Sequence, residues 1–332
     1  MKNRTHFILL LISLVCFYSC TVEETVEESA EGNWVEVADF DGPARSGSIS
    51  FAIGGRAYVG LGYDGGDRLN DLWEYDEENN FWVRRASFPG AARNAAVAFS
   101  ANGRGYVTTG YDGQNELKDF WEYNPGSDAW TQKADFPGDA RLGAVAFSVE
   151  NKGYVGTGTN GDNDLKDFWE YEPATDAWTQ IPFSGSKRID AFAFVIDGMA
   201  YIGGGRNNGL YEQDFWQFDP IDIRWTQLQD LDEDDEPIAR EHTVSFAING
   251  LGFITSGSNG TALRDTWEYN PVTDNWTQRT SLEGAAREEA VAFVITNESG
   301  ESVAYVATGR NGQARYDDVW QFHNDALYNE DD

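Results

Sequence analysis

Short hydrophobic runs alternate with short polar runs along the chain, and the runs recur in the same order about every 48 residues. One unit shows the order, with runs at residues 93–99, 105–110, 119–123 and 129–132. The runs are rich in β-branched and aromatic residues, and Gly, Asn, Asp and Pro separate them, so each unit predicts four short β-strands. No segment after residue 32 shows a sustained helical period.

The tryptophans mark the repeat. Five pairs lie nine residues apart, and first members are separated by 48, 48, 47 and 51 residues: Trp73/Trp82, Trp121/Trp130, Trp169/Trp178, Trp216/Trp225 and Trp267/Trp276. Trp320 follows Trp267 by 53 residues without a downstream partner, and Trp34 has no upstream partner. The strand around Trp34 therefore completes the last unit, which predicts one domain, a six-bladed β-propeller closed by its N-terminal strand.

The repeated Asp-x-Trp-x-Tyr segment, as in Asp119 to Tyr123, and the second Trp resemble the kelch family over residues 33–323. The resemblance implies an all-β, six-bladed kelch-type propeller. Kelch units usually end their second strand with a Gly-Gly pair, and here only Gly204-Gly205 has that pair at that position.

The N-terminal segment of the chain predicts export. Lys2, Arg4 and the apolar run at residues 7–18 are typical of a signal peptide, which we place at residues 1–19. The segment resembles a bacterial lipoprotein signal, with Cys20 as the lipidated residue; plain secretion is the alternative. Residues 20–32 form an acidic tether like those of Bacteroidota surface lipoproteins, and residues 324–332 form an acidic tail. We expect a lipid-anchored protein of the bacterial cell envelope, on the outer membrane.

The charge and cysteine content of the chain limit the kinds of partner that it can bind. The chain has 24 Lys and Arg against 56 Asp and Glu, a net charge of -32. This surplus of acid argues against a nucleic-acid partner and against electrostatic docking on anionic lipid, so the lipid anchor is the expected membrane contact. Cys16 and Cys20 are the only cysteines, which leaves the mature domain without an internal disulfide. We expect a monomer.

Two charged positions recur in all six units. An Arg opens each first strand and an Asp opens each third strand. One interpretation is a ring of structural Arg–Asp pairs, and the other is a cationic collar that captures a carboxylate, with Arg188, Arg240 and Arg287 among its ligand-binding residues. The two series are Arg45, Arg93, Arg141, Arg188, Arg240, Arg287 and Asp71, Asp119, Asp167, Asp214, Asp265, Asp318.

Positions that differ between units point to a site at one mouth of the central channel. Two residues after each Arg, the series is Gly47, Ala95, Gly143, Asp190, His242, Glu289. After the second strand it is Tyr63, Tyr111, Thr159, Arg206, Ser258, Arg310. We expect a mouth with an apolar, aromatic half and an ionisable half. A His beside two carboxylates is suited to acid–base chemistry, although a solvated polar rim is the alternative.

Two further segments are candidate ligand sites. Residues 204–208, which include Asn207, are similar to the Gly-Gly-Arg-Asn segment at which some kelch domains bind acidic peptides. The acidic run at residues 230–236 lies beside the mouth, but it lacks the Gly and spacing of a known calcium loop, so we predict a solvated lip and no metal.

Two functions remain open. The first is a binding module whose ligand is a glycan, a sugar acid or a protein segment, bound by Arg188, Arg206, Asn207, Arg240, Arg287, Arg310, Tyr63 and Tyr111. The second is an enzyme, since six-bladed kelch proteins include sialic-acid mutarotases and epimerases. That resemblance implies proton transfer by His242, Glu289 or Asp190. Copper chemistry like that of galactose oxidase needs a Tyr–Cys cross-link that the mature domain cannot form, so we expect no cofactor.

Overall fold

The computed structural model describes residues 31–232, 238–296 and 300–329. The predicted signal peptide, Cys20 and most of the acidic tether lie outside these ranges. So do residues 233–236 of the acidic run and residues 330–332 of the tail. In the part of the chain that is described, no helix is long and apolar enough to cross a membrane.

Six four-stranded antiparallel sheets form the blades. Blade one contains β2 (Ile49–Ile53), β3 (Arg56–Gly60), β4 (Leu72–Asp76) and β5 (Phe81–Arg85). Blade two contains β6 (Val97–Ala101), β7 (Arg104–Thr108), β8 (Phe120–Asn124) and β9 (Ala129–Gln132). Blade three contains β10 (Val145–Val149), β11 (Lys152–Gly156), β12 (Phe168–Glu172) and β13 (Ala177–Ile181).

The second half of the chain repeats the pattern. Blade four contains β14 (Phe192–Ile196), β15 (Met199–Gly203), β18 (Trp216–Asp219) and β19 (Arg224–Gln227), with a small hairpin of β16 (Arg206–Asn207) and β17 (Leu210–Tyr211). Blade five contains β20 (Val244–Ile248), β21 (Leu251–Thr255), β22 (Thr266–Asn270) and β23 (Asn275–Arg279). Blade six contains β24 (Val291–Thr296), β25 (Ser302–Ala307), β28 (Val319–His323) and β1 (Asn33–Glu36), with a hairpin of β26 (Arg310–Asn311) and β27 (Ala314–Arg315).

The N-terminal strand closes the ring as predicted. Strand β1 is the outermost strand of blade six and pairs antiparallel with β28, so that Trp34 faces Phe322 in register. Trp34 is fully buried, and its indole donates a hydrogen bond of 3.1 Å to the carbonyl of Thr280 in blade five. Closure therefore covers the edge of β28 and joins the last two blades.

The hydrophobic core lies between neighbouring blades. The first strands of successive blades contact one another around the channel, and the second strands are buried along nearly their whole length. Between blades one and two, Phe51 stacks on Tyr58 with ring centroids 5.0 Å apart, and Tyr58 meets Tyr123 edge to face at 5.5 Å. Each blade buries its apolar face only against the next blade, which explains why the domain needs a complete ring.

The first strands begin later than the sequence pattern predicts. In blade two the strand begins at Val97, four residues after Arg93, instead of at Arg93 itself. Ala95 interrupts the extended backbone because its φ is +52°. The residues between the Arg and the strand form the mouth of the channel.

Candidate functional site at the channel mouth

A closed ring of six backbone hydrogen bonds surrounds the mouth. The ring residues are the one residue per blade that lies two positions after the Arg. Each amide donates to the carbonyl of the ring residue in the preceding blade, with distances of 2.8–3.2 Å. All six ring residues have φ between +52° and +60°. They are Gly47, Ala95, Gly143, Asp190, His242 and Glu289.

The sequence analysis identified these six positions for a different reason. It placed them two residues after the Arg that opens each predicted first strand. The left-handed backbone of the ring instead takes them out of the strand. Asp190, His242 and Glu289 adopt that backbone without being glycine, which is uncommon for residues with side chains and is frequent at functional sites.

The ring opens into a cavity of about 130 Å³. All six ring residues line it. The residues that follow them in five of the blades complete the wall, and four of these five are alanines. A second cavity of about 170 Å³ lies against the first strands, and it shares Ala96, Thr243 and Ala290 with the first. The mouth therefore continues into the channel, and small side chains on one half leave the space open.

The other half of the cavity carries linked ionisable groups. His242 Nε2 lies 2.9 Å from Asp190 Oδ2 and 3.9 Å from Glu289 Oε1. His242 Nδ1 is buried and has no hydrogen-bond partner among the described residues, and Glu288 Oε2 lies 3.9 Å from it. The structure thus brings the three predicted proton-transfer candidates Asp190, His242 and Glu289 together in one cavity.

The acids around His242 keep it protonated. Burial alone would lower the pKa of His242, but the negative charges of Asp190, Glu289 and Glu241 outweigh burial and raise it to about 9. Burial raises the pKa of Glu241, which His242 and Arg206 only partly oppose. Burial would also raise the pKa of Glu289, but His242 and Arg310 hold it below its usual value. At neutral pH the cavity therefore presents an imidazolium among carboxyl groups.

The arginines Arg188, Arg240 and Arg287 do not reach the mouth. The structure replaces the cationic collar by a ring of buried ion pairs, in which all six arginines have no exposed surface. In blade two, Arg93 Nη1 and Nη2 donate to the two carboxylate oxygens of Asp119 at 2.6 and 2.8 Å, and Arg93 also donates to the carbonyls of Ala91 and Thr109. The guanidinium donors are used inside the protein and are not available to a ligand.

The same ion pair explains the Asp-x-Trp motif. The indole of Trp121 donates to Asp119 Oδ2 at 2.7 Å, and the equivalent bond occurs in all six blades. Although burial would raise the pKa of Asp119, its bonds from Arg93 and Trp121 hold the pKa below the usual range. The recurring Arg, Asp and Trp are thus one structural unit.

A rim of short bridges lies above the ring. In each blade the residue after the Arg pairs with the residue after the second strand, and that residue pairs with a third one. In blade four the rim row is Ile189, Arg206 and Tyr211; in blade six it is Glu288, Arg310 and Arg315.

The predicted ligand-binding residues Arg206 and Arg310 lie on this rim, and both are already paired with acids. Arg206 Nε lies 3.0 Å from Glu241 Oε2. Arg310 lies 2.9 Å from Glu288 Oε1 and 3.0 Å from Glu289 Oε2. Their positive charge is therefore largely neutralised by neighbours that the sequence analysis did not consider.

The remaining predicted ligand residues lie on the rim, outside the cavity wall. Asn207 belongs to the small hairpin of blade four, where its side chain accepts a bond of 3.1 Å from Asn208. The rings of Tyr63 and Tyr111 are covered by guanidinium groups.

Four residues of the mouth and rim escaped the sequence analysis. Glu241 and Glu288 directly follow a structural Arg, and the same position holds Ser46 and Asn94 in other blades. A comparison of the repeats at this position could therefore have identified the two glutamates. Arg68 and Arg315 lie on the rim five residues after Tyr63 and Arg310, a spacing that three other blades repeat, so only the residue type at this position could have identified them.

One group of side chains in the described ranges has the composition of a metal site. Ligand atoms of Asp190, Glu241 and His242 lie within 4.8 Å of one another. A metal there would have to replace the proton of His242 and its bond to Asp190, because imidazole binds metals only in its neutral form. The geometry therefore fits a hydrogen-bonded acid–imidazolium cluster better than a metal centre.

Comparisons with known proteins agree with this architecture. A sequence model of the KLHDC2/KLHL20/DRC7 Kelch-repeats domain matches residues 135–298. Among solved structures, one titled "Structure of YjhT" superimposes with a TM-score of 0.72 at 16% sequence identity, over 85% of this chain and 95% of that chain. At this identity the likeness concerns the fold alone. No curated protein matches the chain. The chain contains a kelch-repeat domain folded as a six-bladed β-propeller.

Proposed function

We propose that the protein is a binding module that holds the end of a glycan, as a neutral sugar or a sugar acid, in the mouth cavity. The observation that carries the proposal is the division of this cavity. Gly47, Ala95 and Gly143 leave space on one side, while Asp190, His242 and Glu289 supply polar groups on the other. A rigid propeller that presents a site on one face is a common arrangement for recognition.

The size of the cavity limits what it can hold. Its volume of about 130 Å³ is below the roughly 300–1,000 Å³ that is usual for small-molecule pockets. One sugar ring or one amino-acid side chain fits this scale, and the rest of a larger ligand would lie across the rim. Recognition would then depend on the terminal unit of the ligand.

The chemistry of the cavity favours hydroxyl groups. Carboxylates of Asp190 and Glu289 accept hydrogen bonds, and a protonated His242 donates them. A sugar offers both kinds of group on neighbouring carbons, so it can satisfy such a mixed set without a large change in charge.

The cellular setting of the proposal comes from the first 32 residues. A signal peptide at residues 1–19, lipidation of Cys20 and an acidic tether would hold the propeller outside the cytoplasm on a bacterial outer membrane, as a monomer. Labelling with radioactive palmitate, compared between the natural chain and Cys20→Ala, tests the anchor. Unchanged labelling in Cys20→Ala would show that Cys20 is not the lipid anchor.

An enzyme that opens and recloses an anionic sugar ring is the second candidate. The observation that favours it is the contact of 2.9 Å between His242 and Asp190 at the cavity wall. With a pKa of about 9, His242 is suited to donate a proton to a ring oxygen, and a carboxylate such as Glu289 would accept one. Exchange of sialic-acid anomers followed by NMR tests this role, and no acceleration over the buffer rate would exclude it.

The binding module is tested by calorimetric titration of residues 21–332 with neutral sugars, sugar acids and acidic peptides. His242→Gln removes the central group of the cavity, and His323→Gln is the matched control because it changes the other described histidine. We expect a sugar to bind, and binding to weaken in His242→Gln while it persists in His323→Gln. Binding of acidic peptides alone would indicate that the ligand is a protein segment instead of a glycan. Equal effects of both variants would show that the cavity is not the binding site.

A further inference from the structure

We propose that Arg68 and Arg315 form an oxyanion-binding subsite on the rim of blades six, one and two, next to the mouth cavity. The ligand group would be a carboxylate, a sulfate or a phosphate. This subsite does not depend on the proposed function, because a small anion can occupy it whether or not a sugar occupies the cavity.

Two tyrosines hold the guanidinium groups in place. Arg315 Cζ lies 4.7 Å from the ring centroid of Tyr63. Arg68 Cζ lies 5.3 Å from the Tyr63 centroid and 4.8 Å from that of Tyr111. Both cations therefore lie against Tyr63, and their two Cζ atoms are at most about 10 Å apart. Stacking on an aromatic ring leaves the edge of a guanidinium, where its N–H groups point outward, free to bind an anion.

Most of the hydrogen-bonding capacity of these two arginines is unused. Arg68 donates only from Nε, to Asn94 Oδ1 at 2.9 Å and to the carbonyl of Tyr111 at 3.1 Å. Arg315 donates from Nε to the carbonyl of Tyr63 and from Nη1 to that of Gln313. Within residues 31–232, 238–296 and 300–329, neither Nη of Arg68 nor Nη2 of Arg315 has an acceptor, so these groups remain available.

Neither arginine forms a direct ion pair with an acid among the described residues, although the protein has 56 acids for 24 bases. Salt bridges within 4.0 Å engage Arg206 and Arg310 on the same rim, but not Arg68 or Arg315. The acids in the neighbouring loops, Asp64 and Asp112, accept hydrogen bonds from backbone amides of their own loops. Backbone hydrogen bonds lower the pKa of Asp64 and Asp112, and the more distant charges of Arg315 and Arg68 lower it further, so these acids offset part of the two positive charges without occupying their Nη groups.

Two glycines make room for the guanidinium tips. A Cβ at Gly65 would lie 2.9 Å from Arg315 Nη1, and one at Gly113 would lie 2.7 Å from Arg68 Nη1. The equivalent rim position in blades two and three carries Glu116 and Asp164, and Asp164 accepts a bond from the amide of Asn208 in the next blade. A side chain of either charge at this position can thus join neighbouring blades. A role in joining blades therefore does not explain why two arginines here keep unused donors.

The subsite is adjacent to the cavity. Arg315 is the cross-strand partner of Arg310, and Arg310 binds Glu289 in the cavity wall. One ligand could place an acidic group on the subsite and a hydroxyl-bearing ring in the cavity. This arrangement rests on the proposed function. Guanidinium groups match the planar or tetrahedral oxygens of carboxylate, sulfate and phosphate with paired hydrogen bonds, so these are the expected anions.

The test uses residues 21–332 with ¹⁵N-labelled arginine, and it follows the side-chain Nε resonances by NMR at constant ionic strength. The probes are glucose, glucuronate, glucose 6-sulfate and glucose 6-phosphate. Sodium sulfate is added separately as an anion without a sugar. We expect the charged probes and sulfate to shift the resonances of Arg68 and Arg315 with saturation, and glucose to leave them unchanged.

Variants provide the second measurement. Arg68→Gln with Arg315→Gln removes both cations of the subsite. Arg84→Gln with Arg264→Gln removes the same charge from two exposed arginines that are not members of the rim rows and have no salt bridge within the described ranges. Affinity for the charged probes should fall about tenfold or more in the first variant, since hydrogen bonds to charged groups contribute on that scale. It should change little in the second variant.

Three results would overturn the subsite. They are the absence of saturable shifts with every anion in the natural protein, equal loss of affinity in both double variants, and the same shifts with glucose as with glucuronate. If the first variant does not fold, the shifts of the Arg68 and Arg315 resonances in the natural protein still test the subsite. A response to sulfate without any sugar binding would support the subsite and count against the proposed function, so the two failures are distinguishable.

Discussion

The amide of Gly47 in the first blade donates a hydrogen bond of 2.9 Å to the carbonyl of Glu289 in the last blade. This bond closes the ring at the channel mouth, and it joins residues that are 242 positions apart in the sequence. The ring therefore forms only when all six blades are in place. It holds Asp190, His242 and Glu289 in fixed positions, so the closure of the fold and the geometry of the site are one event.

The left-handed ring makes Ala95→Gly an unusual stabilising substitution. Ala95 has a φ of +52°, where a side chain is strained and glycine is not. We expect the free energy of unfolding in urea to rise by about 0.5–1 kcal/mol. Ala98→Gly, in strand β6 of the same blade, is the control and should lower it by a similar amount. A loss of stability in both variants would contradict the strain at Ala95.

The buried and exposed arginines should differ sharply in their effect on stability. Arg141→Met removes the partner of Asp167 from an ion pair in which Arg141 is buried, and we expect a loss of about 3–5 kcal/mol in urea unfolding. Arg206→Met breaks the pair with Glu241, in which the side chain of Arg206 is 43% exposed. A loss of less than about 1 kcal/mol should follow. Similar losses in the two variants would argue against the structural role that we assign to the Arg–Asp ring.

Protonation of His242 should make stability depend on pH on the alkaline side of neutrality. Its pKa in the folded protein is about 9, above its ordinary value of 6.5, so the folded state binds the proton more tightly. The stabilisation is complete below about pH 6.5, declines between pH 6.5 and 9, and is absent at higher pH. Asp190 and Glu289 face Nε2 of the imidazole and Glu288 faces Nδ1, while Glu241 has a carboxylate oxygen within 4.8 Å of the His242 and Asp190 ligand atoms.

An NMR titration of the histidine Cε1–H resonances measures this pKa directly. Asp190→Asn should lower the pKa of His242 and flatten the decline in melting temperature between pH 6.5 and 9. Asp197→Asn, in an exposed hairpin of blade four, is the matched control. A His242 that titrates near 6.5 in the natural protein would show that the surrounding acids do not act as described.

The fold was predictable because its determinants repeat. The Trp pairs, the Arg and the Asp recur in every unit, and the structure shows that Arg93, Asp119 and Trp121 form one hydrogen-bonded group with an equivalent in each blade. The lone Trp34 predicted ring closure because a four-stranded blade lacked only the strand that contains it. Local spacing was sufficient at this level, since each contact of this group lies within one unit.

The site was predictable only in part. The positions of Asp190, His242 and Glu289 could be inferred because small residues replace them in three other blades. The partners of Arg206 and Arg310 could not be inferred, since Glu241 belongs to the blade after that of Arg206. In addition, Glu241, Glu288 and Glu289 precede the first strands and so lie outside their alternating pattern. The same limit applies to Arg315, which lies on Tyr63 although the two are 252 positions apart.

By itself the sequence determined the six-bladed propeller, its closure by the N-terminal strand, and the six positions that surround the mouth. These follow from a period of short strands, which is a local property of the chain. Only the tertiary structure decided that the ring residues take a left-handed backbone, that the arginines Arg188, Arg240 and Arg287 are buried, and that Arg68 and Arg315 keep unused donors. Each of these depends on atoms from neighbouring blades, whose distances are set by the packing of the complete ring.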